Sequence, residues 1–240
     1  MANQEKQLTG QEIHAQVEHT REAGDFWGSI KLAQDSIKAY SEEKNLSGLA
    51  DIYGSISLAF RHLYKQSKDK TFLVLAEGAA TTGIEIAKIN SLNEILARPL
   101  FNLAKVQEEL GQFAEASETY QDAVDTFNKF PQKEHNRAGV LADMKVHLYT
   151  CSYKAGDKSA LPKALDALSE LEKSDEKTVS KYNYDVWLSG AHMRMAEMLK
   201  EEDIEMAKQH LAKAKQIIDG NANLALRKKQ WEELAKNFSN

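Results

Sequence analysis

Short helix breaks recur along this chain at nearly regular intervals, and no other feature restricts its fold as strongly. Ala23-Gly24-Asp25, Gln66-Ser67-Lys68-Asp69, Leu110-Gly111-Gln112, Ala155-Gly156-Asp157 and Glu201-Glu202-Asp203 follow one another at roughly 43 to 46 residues. A period of that length marks an array of supersecondary units, none of which can bury its apolar face without a neighbour. At the breaks that contain Gly24, Gly111 or Gly156 the Gly can adopt the left-handed conformation that closes one helix, and an Asp or Ser just after a break can cap the next.

Between the breaks the chain reads as helix. Only three of 240 residues are Pro, and Ala, Leu, Glu and Lys occupy the space that strand and turn formers would need. Apolar residues step by three and four along Leu92, Leu96, Leu100, Leu103 and Leu110, and again along Leu141, Met144, Leu148, Cys151 and Ala155. The expected helices are 8–23, 25–44, 46–66, 69–89, 91–110, 112–130, 135–155, 158–173, 177–200, 203–219 and 222–238. The helix over 91–110 is expected to run through Pro99 and to kink there, because Leu92 and Leu96 extend the apolar stripe upstream of it. Connections of a few residues force neighbouring helices to pack antiparallel. Five hairpins follow, over 8–44, 46–89, 91–130, 135–173 and 177–219, with a capping helix at 222–238. No Gly/Ser/Pro-rich linker divides them, so residues 1–240 are expected to form a single repeat domain.

One unit carries a family signature. Leu103-Ala104-Lys105-Val106-Gln107-Glu108-Glu109-Leu110-Gly111-Gln112-Phe113-Ala114-Glu115-Ala116, continuing through Tyr120 and Ala123 to Pro131, resembles a tetratricopeptide repeat (TPR) almost position for position. Gly24-Asp25-Phe26 with Ile30 is a weaker match, and the other units share the period and the small or apolar positions. The family's period is 34, whereas this chain repeats at about 44, which looks like the long-helix variants of kinesin light chains and of bacterial peptide-sensing regulators. The resemblance implies an all-α, right-handed superhelix of antiparallel hairpins. In such an array the first helices line a concave groove and the second helices form the convex back.

Composition narrows the function classes. The formal net charge of −5 argues against nucleic acid as the main partner, since counterion release needs a concentrated basic surface. No apolar run approaches eighteen residues and the first residues lack a secretory signal, so the expected location is the cytoplasm, away from any membrane. A lone Cys151 on an apolar stripe is expected to be a packed thiol. The seven histidines, His14, His19, His62, His135, His147, His192 and His210, are scattered and show no metal-ligand spacing. Dinucleotide, phosphate-loop, zinc-protease, calcium-loop and nucleophile-elbow motifs are all missing, so neither an enzyme nor a cofactor is expected.

Charge by helix is uneven. Second helices sum to about −7, while first helices two to five with the C-terminal helix sum to about +4. A neutral to mildly basic groove is therefore expected. Registering each first helix on its turn places Arg61, Tyr64 and Lys65, with Ser57, on the groove face of the second unit. The third unit contributes Glu94, Arg98, Asn102, Lys105 and Glu109, and the fourth Asp143, His147, Thr150 and Lys154; in the fifth only Arg194 is indicated. The family's clamp for a C-terminal carboxylate is not intact, because only Asn102 matches it and Ser57, Arg61, Asp143 and His147 stand at its other positions. The reading that follows is a non-enzymatic scaffold for a protein or peptide, with the basic residues suited to an acidic segment and homo-oligomerisation left open. Its alternative is a peptide-sensing regulator that changes superhelical pitch on binding.

Overall fold

A computed structural model describes residues 8–131 and 136–238. Among the described residues every regular element is helical and no strand occurs. His135, and the expected start of a helix there, lie outside the described residues.

The chain divides into two compact units, Met1–Gln132 and Lys133–Asn240. The N-terminal unit holds three hairpins: α1 (Gly10–Glu22) with α2 (Phe26–Glu42), α3 (Leu46–Ser67) with α4 (Thr71–Ile89), and α5 (Ala97–Glu109) with α6 (Phe113–Lys129). In the C-terminal unit α7 (Ala138–Lys154) pairs with α8 (Ala160–Lys173), and α10 (Lys181–Leu199) with α11 (Ile204–Asp219). A four-residue helix, α9 (Glu176–Val179), precedes α10, and α12 (Ala225–Ala235) packs on α10 and α11 at the end. Sequence periodicity merges α9 with α10; the break between them is Ser180, whose extended backbone lets its hydroxyl cap α10 at Asn183 N–H.

The breaks work as their residues dictate. Gly24, Gly111 and Gly156 have φ of +90°, +81° and +109°, the left-handed region that a Cβ disfavours. Asp25 and Asp203 accept the amides of Gly28 and Met206, capping α2 and α11. Asn45 caps α3 in the same way through Gly48, and Thr9 forms a reciprocal capping box with Glu12 at the start of α1.

The helix expected over 91–110 is corrected. Asn93–Ile95 form a single 3-10 turn, and α5 begins only at Ala97. Pro99 therefore sits in the first turn, where a missing N–H removes no bond the helix needs, and no kink is required. Leu92 and Leu96 keep their apolar role without helix, packing with Ile95 against Ala50 and Ala87.

Small residues set the helix spacing. Ala33, Ala59, Ala76, Ala104, Ala116 and Ala123 are fully buried where helices meet, so Ala104 and Ala116 lie at close contacts as the repeat signature implies. Tyr40 of α2 stands between two glycines: a Cβ at Gly10 of α1 or at Gly48 of α3 would lie 2.4 or 2.3 Å from its ring. In the C-terminal unit Met144, Leu171 and Met195 are buried, and Cys151 is a buried free thiol.

Candidate functional site

The first helices of the N-terminal unit lie side by side, α1 against α3 and α3 against α5. A cleft of about 130 Å³ opens on them, lined by Glu18 and Arg21 of α1, Asp51, Gly54 and Ser55 of α3, and Arg98 and Asn102 of α5 among others. Gly54 makes the α3–α5 approach possible, since a Cβ there would stand 2.8 Å from the Asn102 carboxamide nitrogen. Arg98 Nη1 donates to Asp51 Oδ2 at 3.1 Å, and its side chain remains 37% exposed. His14 Nε2 is 2.9 Å from Ser55 Oγ at one edge of this face, while its Nδ1 approaches the Tyr40 hydroxyl. Burial pushes the His14 imidazole below its ordinary pKa, so the ring is neutral at neutral pH.

Farther along the same helices the chemistry changes from open to locked. Arg61 is 7% exposed and forks onto Glu109, with Nε to Oε2 at 3.1 Å and Nη2 to Oε1 at 2.7 Å. Lys65 joins the same carboxylate at 3.0 Å. Burial raises the Glu109 carboxyl, but Arg61 and Lys65 outweigh it and hold it at about 2. Arg61 is thus a strut between α3 and α5 rather than the projecting cation that the helical register predicts. Its partner lies 48 residues away, beyond what a single-helix register can show.

The remaining expected residues divide similarly. Tyr64 leans on the core formed by Leu73, Ala76 and Val106, so its ring is partly withdrawn from the face. Lys105 lies over the Phe101 ring, 3.8 Å from the centroid. In the C-terminal unit Asp143 and Thr150 are buried, contrary to the exposed positions assigned to them; Thr150 donates to the His147 carbonyl at 3.0 Å. His147 Nε2 is 4.0 Å from Asp143 Oδ1, and Lys154 pairs with Glu197 at 3.0 Å. On the N-terminal face Arg61 and Lys65 share Glu109, and Arg98 meets Asp51.

Three contributors escape the sequence reading. Glu18 and Arg21 of α1 line the cleft; the register of the later first helices, laid on α1, falls on Glu18 but not on Arg21. Asp51, the carboxylate beside Arg98, sits at a position that the same register does not choose. Histidines are also more buried than their scatter suggests. His62 stacks on Phe26 at 4.9 Å between centroids, and burial takes its imidazole down to about 3. His192 and His210 meet Nδ1 to Nδ1 at 3.0 Å inside the C-terminal unit. Among the described residues no group of three or more His, Cys, Asp or Glu is placed to hold a metal, and no helix is long and apolar enough to cross a membrane.

No family model matches the sequence, and no curated protein matches it. Solved structures do resemble it in fold. BtubC (BKLC) from P. vanneervenii superposes with a TM-score of 0.64 at 19% identity, covering 88% of this chain and 80% of that one. A Podosopora anserina protein described as a kinesin light chain with nearly identical TPR-like repeats gives 0.58 at 12% identity, over 87% of this chain and 93% of its own. Antiparallel hairpins of long helices, turns closed by left-handed glycines and alanines at the helix contacts agree with that likeness. The chain therefore has the TPR-like α-solenoid fold.

Proposed function

We propose that the protein is a non-enzymatic scaffold that holds a peptide segment of a partner protein on the first-helix face of its N-terminal unit. The observation that carries this reading is the cleft over α1, α3 and α5, where Asn102 lies above Gly54 beside Arg98. A carboxamide offers a donor and an acceptor together, the pair that a peptide bond presents in reverse. Arg98 pairs with Asp51 while its side chain stays 37% exposed, so an acidic side chain of the partner can compete for that cation. Lys65 and Lys105 supply further positive charge along α3 and α5, and Tyr64 adds apolar edge. Fold alone assigns no ligand, so the reading rests on these side chains. The proposed setting is the cytoplasm, with no cofactor.

Panning a random peptide library against the wild-type protein and against an Arg98→Ala/Asn102→Ala variant tests this. Selected peptides should carry Asp or Glu, should lose at least tenfold in affinity on the variant, and should bind less steeply with salt once the charge contact is gone. Hydrogen exchange should show their protection on α3 and α5. Peptides that bind the variant equally, or protect α2, α4 and α6 instead, would move the function to the second-helix face.

A further inference from the structure

The second helices of the N-terminal unit do not meet solvent alike. α2 exposes Lys31, Asp35 and Lys38, and α6 exposes Glu118, Asp122 and Asp125. Between them in sequence, α4 buries Leu73, Ala76, Ala80 and Ile84 and packs on α3 and α5, yet the face it turns away is apolar as well. Val74 is 62% exposed there, Leu75 is exposed beside it, and Ile89 at the far end is 78% exposed. From Thr71 to Ile84 the one charged residue is Glu77, and it is half-buried. A helix that is apolar on both faces is one whose outer face is meant to be covered.

Gly78 stands in the middle of that face, with nothing within 4 Å of where its Cβ would be. Packing inside the chain gives no reason for a glycine, which weakens a helix interior relative to alanine. Close approach of another helix supplies one. Positions on the face repeat symmetrically about Gly78: Leu75 and Thr81, Val74 and Thr82, then Lys70 and Glu85 at the two ends. Thr82 Oγ1 donates to the Gly78 carbonyl at 2.8 Å, so this hydroxyl needs no polar partner from outside. One half of the face is therefore bulky and ends in a base, and the other half is small and ends in an acid.

We propose that this face of α4 is the contact between two copies of the chain, packed antiparallel about a two-fold axis at Gly78. Val74 and Leu75 of each copy then lie on Thr81 and Thr82 of the other, and Lys70 of each meets Glu85 of the other. A parallel pairing would set Leu75 on Leu75 and Glu85 beside Glu85. Exposed Trp27 of α2, whose ring centroid is 5.9 Å from that of Phe72, continues the apolar surface past the start of α4. One helix pair with this extension buries less than the roughly 800 Å² per partner of a standard interface, so a dissociation constant in the micromolar range is expected. The proposal concerns a second helix and does not rest on the peptide reading of α1, α3 and α5.

Sedimentation equilibrium of the full chain, from about 1 to 300 µM, tests it; a reversible monomer–dimer equilibrium is expected. Leu75→Glu should raise the dissociation constant at least about tenfold and Gly78→Ala several-fold. Gly78→Ala should do so with a monomer as helical as wild type and at least as stable, which separates association from folding. Lys70→Glu and Glu85→Lys should each dimerise more weakly alone, and an equimolar mixture of the two should associate more tightly than either. Positions 70 and 85 are about 22 Å apart along one helix, so that rescue can come only from pairing between copies. A wild-type chain that stays monomeric throughout would overturn the proposal and leave the face to a different protein. A dimer unchanged by both Leu75→Glu and Gly78→Ala would overturn it by moving the contact elsewhere, and a mixture without rescue would overturn the antiparallel pairing.

Discussion

Glu109→Gln is the substitution whose effect can be worked through most fully. Gln keeps the shape and one acceptor but removes the charge shared by Arg61 and Lys65. Glu109 has only 16% of its side chain exposed and Arg61 9%, so solvent screens the contact little. Bringing a carboxyl from 4.5 to about 2 corresponds to about 3 kcal/mol in favour of its charged form. Removing one partner of a buried pair also strands the other, with typical losses of about 3–5 kcal/mol. The expected loss is therefore about 3 kcal/mol, felt where α3 meets α5. Native-state hydrogen exchange is the suitable assay, because it reads α3 and α5 directly even if the two compact units unfold separately. The pH dependence has a defined sign: the folded-state pKa is depressed, so the stabilisation is complete above about 4.5 and is lost as pH falls toward 2. The wild-type advantage over Glu109→Gln should shrink across that window. Replacing both partners, Glu109→Gln with Arg61→Met, should recover most of the loss, since a buried pair is often no better than apolar packing. A loss below about 1 kcal/mol, or a double variant no more stable than the single one, would refute the account of Arg61 as a strut.

Further outcomes follow from other contacts. Burial lowers both His192, to about 3, and His210, so the folded C-terminal unit keeps them neutral while the unfolded chain protonates near 6.5. Its melting temperature should fall as pH drops below about 6.5, and a His192→Phe/His210→Phe variant should show a flatter profile there; identical slopes would remove the pair from the explanation. Ala116→Leu should overpack the third hairpin and cost about 1–3 kcal/mol in urea denaturation, and an unchanged midpoint would mean the buried site can expand. Cys151 should resist a thiol reagent under native conditions and react at the rate of opening of its own unit; immediate labelling would contradict its burial.

Local features of this fold were legible because their causes are local. Gly24, Gly111 and Gly156 announce their turns by residue type, and Ala104 and Ala116 their contacts by spacing within one repeat. Pro99 misled because an apolar stripe also fits a 3-10 turn packed on the core, so Leu92 and Leu96 could be buried without helix. Site residues depended on distant partners. Whether Arg61 projects or is buried turns on Glu109, which the facing helix supplies. Helical register places a side chain on a face; it does not reveal what the neighbouring helix brings to that face.

Tyr40 has a mechanical consequence. With Gly10 on one side and Gly48 on the other, its aromatic ring acts as a shim of fixed thickness, about 3.5 Å to each face, between the starts of α1 and α3. A spacer at one end of two long rods sets the angle between them, so the splay of the first two hairpins depends on the ring rather than on the summed bulk of many aliphatic side chains. Thinning the shim, as in Tyr40→Leu, would let the near ends close and alter the width of the face that α1 and α3 present, and would also take the Tyr40 hydroxyl away from His14 at its edge.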